Sequence, residues 1–133
     1  VTLDSRTRHC FDNQLEFVLG GFPERIHKLI DEVPLCVEDY PSNDVLAKTG
    51  IKHRYQLCGL YTGVPLTQRS VLQSGRLPDV VTVYREGVLN CVISKYGHVT
   101  IDGLRKEIQI TILHELAHHH GLGEEELKEL GYG

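Results

Sequence analysis

The chain has 133 residues, 41% of them hydrophobic, enough for one compact domain that buries roughly two thirds of its unfolded surface and too few for two. Its 14 Lys+Arg stand against 18 Asp+Glu, a formal charge of −4, so no global positive field exists to hold a nucleic-acid backbone or an anionic membrane. No apolar run reaches the 18 or so residues that a membrane span needs, and the opening VTLDSRTRHC has no apolar signal core. A soluble, unexported, cytoplasmic protein with neither nucleic acid nor membrane as partner is expected. Cys10, Cys36, Cys58 and Cys91 are widely separated with no CxxC pair and are read as reduced thiols.

In chain order, Leu15, Val18 and Leu19 recur at helical spacing up to Gly20-Gly21. Pro23 then opens a second helix with an apolar stripe of Ile26, Leu29, Ile30 and Val33. Leu35 to Asp39 is a short strand followed by a turn cluster, Tyr40 to Asp44. Tyr55 to Tyr61 suits a strand, and the Gly- and Pro-punctuated stretch from 62 to 79 reads as a long loop, a candidate wall or lid for a site. Val80 to Tyr84 (VVTVY) is the best strand in the sequence. Gly87 to Tyr96 favours a helix over a strand. Asp102 is a candidate N-cap for a last long helix, in which Leu104, Ile108, Ile112 and Leu116 recur every four residues and Ile110, Leu113 and Ala117 widen the apolar surface. That helix is expected to be largely buried and to stop at Gly121 and Gly123, with a short C-terminal helix over 124–130.

Inside the long helix the sequence reads His114-Glu115-Leu116-Ala117-His118, an HExxH pattern. Positions 114 and 118 lie about 40° apart and one turn along the axis, so two imidazoles face one metal ion. Glu115 points about 100° away from His114, placed to act as general base on a water without being a ligand. Random placement of this composition gives an HExxH about 4 times in 100; requiring Gly121 and an acid at 124 as well lowers that to about 5 in 10,000. A catalytic zinc site needs a third protein ligand and an open position. Only 15 residues follow His118, so the chain has to turn back early, and Glu124 stands where HExxHxxGxxH proteases carry their third histidine. Glu124 is the candidate third ligand. The competing reading makes Glu124, Glu125 and Glu126 an acidic first helical turn, with Glu125 and Glu126 solvated. His119 and His120 are read as surface or supporting residues, and His9, His27, His53 and His98 as surface residues.

These residues resemble a small bacterial family, the minimal zincin-like metallopeptidases. The resemblance rests on TILHELAHHHGLGEEELKELGY, VVTVYRE, LCGLYTGVPLTQRS and FPERIHKLIDEVPLCVEDYPS, and it covers roughly residues 11 to 132. It implies an α+β fold: a compact zincin-like single domain over 1–133, with a small mixed sheet, a buried active-site helix and a shallow site. It also implies His114 and His118 as ligands of one Zn2+ per chain, Glu115 as base and an acid at the Glu124 position as third ligand. The family generally carries an aromatic or other apolar residue at the position of His120 here. The chain has no Met and therefore no Met-turn.

The leading expectation is a zinc-dependent metallopeptidase acting on a peptide or protein substrate. VVTVY is a candidate edge for an extended peptide, against the reading of an ordinary core strand. Tyr84 and Arg85, and beside them Tyr61 and Tyr132, are candidate transition-state stabilisers because they are polar groups in family-like segments, against the reading of packing or surface residues. Two rivals stand beside this: a non-catalytic metal-binding or regulatory module, and a non-haem Fe(II) site, since two histidines and one carboxylate also describe that ligand set.

Overall fold

A computed structural model of the chain describes residues 2–63, 79–120 and 123–132. Among them, six α-helices surround a three-stranded mixed sheet. Helix α1 (Ser5–Gly21) begins where the Thr7 amide donates to Asp4 Oδ1 at 2.9 Å, and α2 (Glu24–Glu32) follows directly behind Pro23. Strand β1 (Leu35–Glu38) leads into α3 (Asn43–Thr49), a short helix where the sequence reads as a turn. The turn residues and the helix are compatible: the Ser42 hydroxyl accepts from the Val45 amide at 3.3 Å, so part of the turn cluster serves as an N-cap. The expected strand over 55–61 divides into a 3-10 turn, Arg54–Gln56, and strand β2 (Gly59–Thr62). Most of the expected 62–79 loop lies outside the described residues, as does the expected turn at Gly121.

Strand β3 (Val80–Tyr84) is the middle strand. It pairs in parallel with β1, Leu35 opposite Val81, and antiparallel with β2, Gly59 opposite Val83. This overturns the edge reading of VVTVY, because a strand with both backbone edges paired cannot accept a further peptide. Its composition has the same cause: Val81, Thr82, Val83 and Tyr84 are all buried, and a strand covered on both faces reads as a continuous apolar run.

Helix α4 (Arg85–Tyr96) follows β3 without a break, and α5 (Ile101–His120) crosses the sheet. The cap of α5 is Thr100, whose hydroxyl accepts from the Gly103 amide at 3.0 Å, while Asp102 sits in the first turn. Helix α5 packs on α1, α4, β2 and β3. Leu104, Ile108, Ile112 and Leu116 are at most 1% exposed and join Phe11, Leu15, Val18, Phe22, Ile26 and Leu29 of the N-terminal helices in one core cluster. Ile110, read as part of the apolar face, is 40% exposed instead. A last helix, α6 (Glu124–Glu129), closes the described chain.

An ion network fastens α1 to the sheet. Arg85 forks onto Asp12 with Nε to Oδ1 at 3.0 Å and Nη2 to Oδ2 at 2.9 Å, and its Nη1 donates to Asp39 Oδ1 at 2.9 Å. Arg8 holds the same Asp39 from α1 through Nε, at 3.0 and 3.1 Å to its two oxygens. These charge-assisted bonds, that from Arg8 first, keep the Asp39 carboxyl below its ordinary value of 3.8. A depressed native pKa contributes stability that is present above the ordinary carboxylate range and is lost as pH falls through the native value. Thermal melts of Asp39→Asn are therefore expected to show a lower midpoint than wild type at neutral pH and a smaller further loss below about pH 4. Parallel wild-type and variant curves across that range would contradict this account of the network.

Candidate active site

Both residues of the HExxH pattern with described side chains line one cleft. His114 is exposed and Glu115 half-buried, and the cleft they share has a volume of about 340 Å3. Its lining comes from α5, from the Gln56–Gly59 stretch that leads into β2, and from Cys91 and Lys95 of α4. Position 118 lies on the same continuous helix, one turn beyond His114, so positions 114 and 118 share one face of its backbone. The side chains of His118, His119, His120 and Glu124 lie outside the described residues. Glu124 is the first residue of α6, a helix held from the N-terminal side of the chain. Arg25 Nε donates to Glu126 Oε1 at 2.8 Å, and Tyr132 meets Phe22 edge-on with ring centroids 5.9 Å apart. Glu126, expected to be solvated, is thus an ion-pair partner of α2, whereas Glu125 is exposed as expected.

The cleft exists because two glycines let backbone come close. A Cβ on Gly59 would stand 2.6 Å from Thr111 Cγ2, 3.2 Å from the Thr82 carbonyl oxygen and 3.6 Å from Glu115 Cγ, so only glycine lets β2 approach the helix at this level. A Cβ on Gly87 would overlap the Leu57 carbonyl, which fixes the 57–59 segment against α4. Residues 57–59 are thereby pinned from two sides. The half-buried Cys58 thiol between them is pushed up to about 11, chiefly by burial, so it stays protonated at neutral pH and is a poor thiolate ligand or nucleophile. All four cysteines are free, Cys10 and Cys36 exposed.

The candidate stabilisers lie elsewhere among the described residues. Tyr84 is 2% exposed, and burial raises its hydroxyl pKa. The Arg85 guanidinium is committed to Asp12 and Asp39. Tyr61 donates to Asp79 Oδ2 at 2.7 Å, and Tyr132 packs on Phe22. None of the four lines the cleft that holds His114 and Glu115. His9, His27, His53 and His98 are exposed, as expected.

Other cleft residues escaped the sequence reading: Glu107, Ile110 and Thr111 on α5, Cys91 and Lys95 on α4, and Gly59. Glu107 and Thr111 had a usable signal. Positions 107, 111, 114 and 118 follow one another at intervals of four, three and four, so they share one face of a helix. Thr111 is buried and donates from Oγ1 to the Glu107 carbonyl at 2.8 Å.

Imidazoles at i and i+4 with an adjacent carboxylate form a donor set suited to a borderline metal such as zinc, and the exposed His114 at the mouth of a cleft fits such an ion. A family model described as zincin-like metallopeptidase matches residues 30–133, so the match begins near the end of α2. No curated protein matches the chain. Gly87→Ala, which meets backbone, is expected to cost about 3 kcal/mol, and Gly59→Ala, which meets first a side-chain methyl, about 1 kcal/mol. Denaturant unfolding measures both, and equal or negligible costs would contradict the close approach described.

Proposed function

Since the chain belongs to the zincin-like metallopeptidase family, we propose that it is a zinc-dependent peptidase acting on a peptide or protein substrate. In this reading His114 and His118 hold one zinc ion per chain, Glu124 completes the ligand set and Glu115 is the general base. The observation that carries it is the shared cleft: His114 and Glu115 line it together from a helix that continues unbroken through position 118. When bound, the ion supplies Lewis-acid polarisation of the scissile carbonyl and acidifies water at neutral pH.

The rest belongs to the chain's own groups. The Glu115 carboxylate takes the water proton and returns it to the leaving amine. It is half-buried, with Gly59 of β2 beside its side chain. Substrate backbone is held at β2, which among the described residues pairs on one side only, with β3, and whose Gly59 lies beside Glu115. An extended peptide adding to that edge would bring its carbonyls past the helix face that carries position 114. Arg85 is assigned a structural part, and Tyr84 is given no chemical role beyond packing. We read residues 1–133 as one such domain, supported by a core cluster that spans Phe11 to Leu116. Among the described residues no helix is long and apolar enough to cross a membrane; the cytosolic setting is proposed on the cysteine usage.

Glu115→Gln is expected to keep its zinc and lose about two to four orders of magnitude in peptide hydrolysis, measured on a peptide mixture by mass spectrometry. Undiminished cleavage by the variant would remove the base assignment. Zinc-bound wild type that cleaves no peptide would favour a binding or regulatory module instead.

A further inference from the structure

The cleft continues from His114 along α5 to a buried acid. Glu107 lies seven residues before His114, about 10 Å along the axis and within about 20° of the same line, and its side chain is 5% exposed. Its Oε1 accepts from Lys95 Nζ at 2.9 Å and from the Cys91 thiol at 3.3 Å, and its Oε2 accepts from the Tyr96 hydroxyl at 3.4 Å. Leu57 and Ile110 line the same cleft as this carboxylate and His114. Ile110 therefore offers the cleft apolar surface that the core does not use.

A carboxylate this deep costs several kcal/mol unless a cation compensates it. The compensation comes from Lys95, which reaches over from α4 while half of its side chain remains in solvent. Its ammonium marks a place beside the cleft where a cation on an aliphatic stem is held.

We infer that this end of the cleft is the pocket for the substrate side chain next to the scissile bond and that it accepts lysine or arginine, an inference that rests on the peptidase reading. The stem lies along Leu57 and Ile110 and the cationic head meets Glu107. Lys95 is then an internal competitor: it neutralises Glu107 in the free protein and swings outward when the substrate cation arrives. If Lys95 were itself the recognition group, the same cleft would select acidic residues.

Binding without hydrolysis separates the pocket from the chemistry. In a zinc-loaded Glu115→Gln background, the Nα-acetyl methylamides of lysine, norleucine and glutamic acid are titrated against labelled protein, and amide shifts on α4 and α5 are followed. The lysine probe is expected to bind about tenfold more tightly than norleucine, with glutamate weakest. Glu107→Gln is expected to bring lysine down to the norleucine level. Lys95→Met leaves Glu107 without its cation, so the free variant is expected to melt at a lower temperature than wild type and to bind lysine several-fold more tightly. Norleucine or glutamate binding as well as lysine, no binding of any probe, or weaker lysine binding in Lys95→Met would overturn the pocket. Lysine-selective binding in a wild-type protein that cleaves no peptide would overturn the peptidase reading alone.

Discussion

The seating of one helix determines the rest of this molecule. Helix α5 has to supply the centre of the core along one side and an open, polar face along the other, and its 20 residues divide accordingly. Leu104, Ile108, Ile112 and Leu116 are shut away from solvent, while His114 remains exposed between two of them in sequence. Each large buried side chain of this kind contributes about 2–3 kcal/mol to holding the helix in place. Because the anchors alternate with positions 114 and 115 along the same backbone, packing on the opposite face fixes how the helix presents those two positions. The proposed chemistry would therefore rest on the rigidity of a core element.

The open face would be useless without a neighbour close enough to make a cleft, and glycine supplies that closeness. Gly59 lets β2 lie against Thr111 and Glu115, and Gly87 lets the preceding segment press on α4. The N-terminal helices complete the frame. Arg8 and Asp12 of α1 grip Asp39 and Arg85 at the ends of β1 and β3, and Arg25 of α2 grips α6, the helix that begins with Glu124. The family match starts at residue 30, so all four of the N-terminal anchors Arg8, Asp12, Phe22 and Arg25 lie before it. They hold elements of the matched region in place.

Where the sequence was legible, one local cause dominated. The apolar spacing of α1, α2 and α5 and the valine run of β3 each reflect burial alone, and the HExxH pattern reflects helix periodicity. Where it was not, two causes competed. Ser42 belongs equally to a turn and to an N-cap, and the structure uses it as the cap of α3. Thr100 and Asp102 are both good caps, and Thr100 takes the part. Continuous apolar character in VVTVY marked a strand covered on both faces, yet which strands flank it depends on pairing across 18 or more residues, which no local pattern encodes. The close approach at Gly59 and Gly87 is likewise tertiary: nothing in the neighbouring residues shows that another backbone arrives there.

The central claim is that the exposed face of α5 holds a metal ion through His114 and His118. Elemental analysis of untagged wild type and of His118→Ala tests it most directly. The account predicts one zinc per chain in wild type and none retained by a folded His118→Ala. Metal absent from wild type, or kept undiminished by the variant, would contradict it.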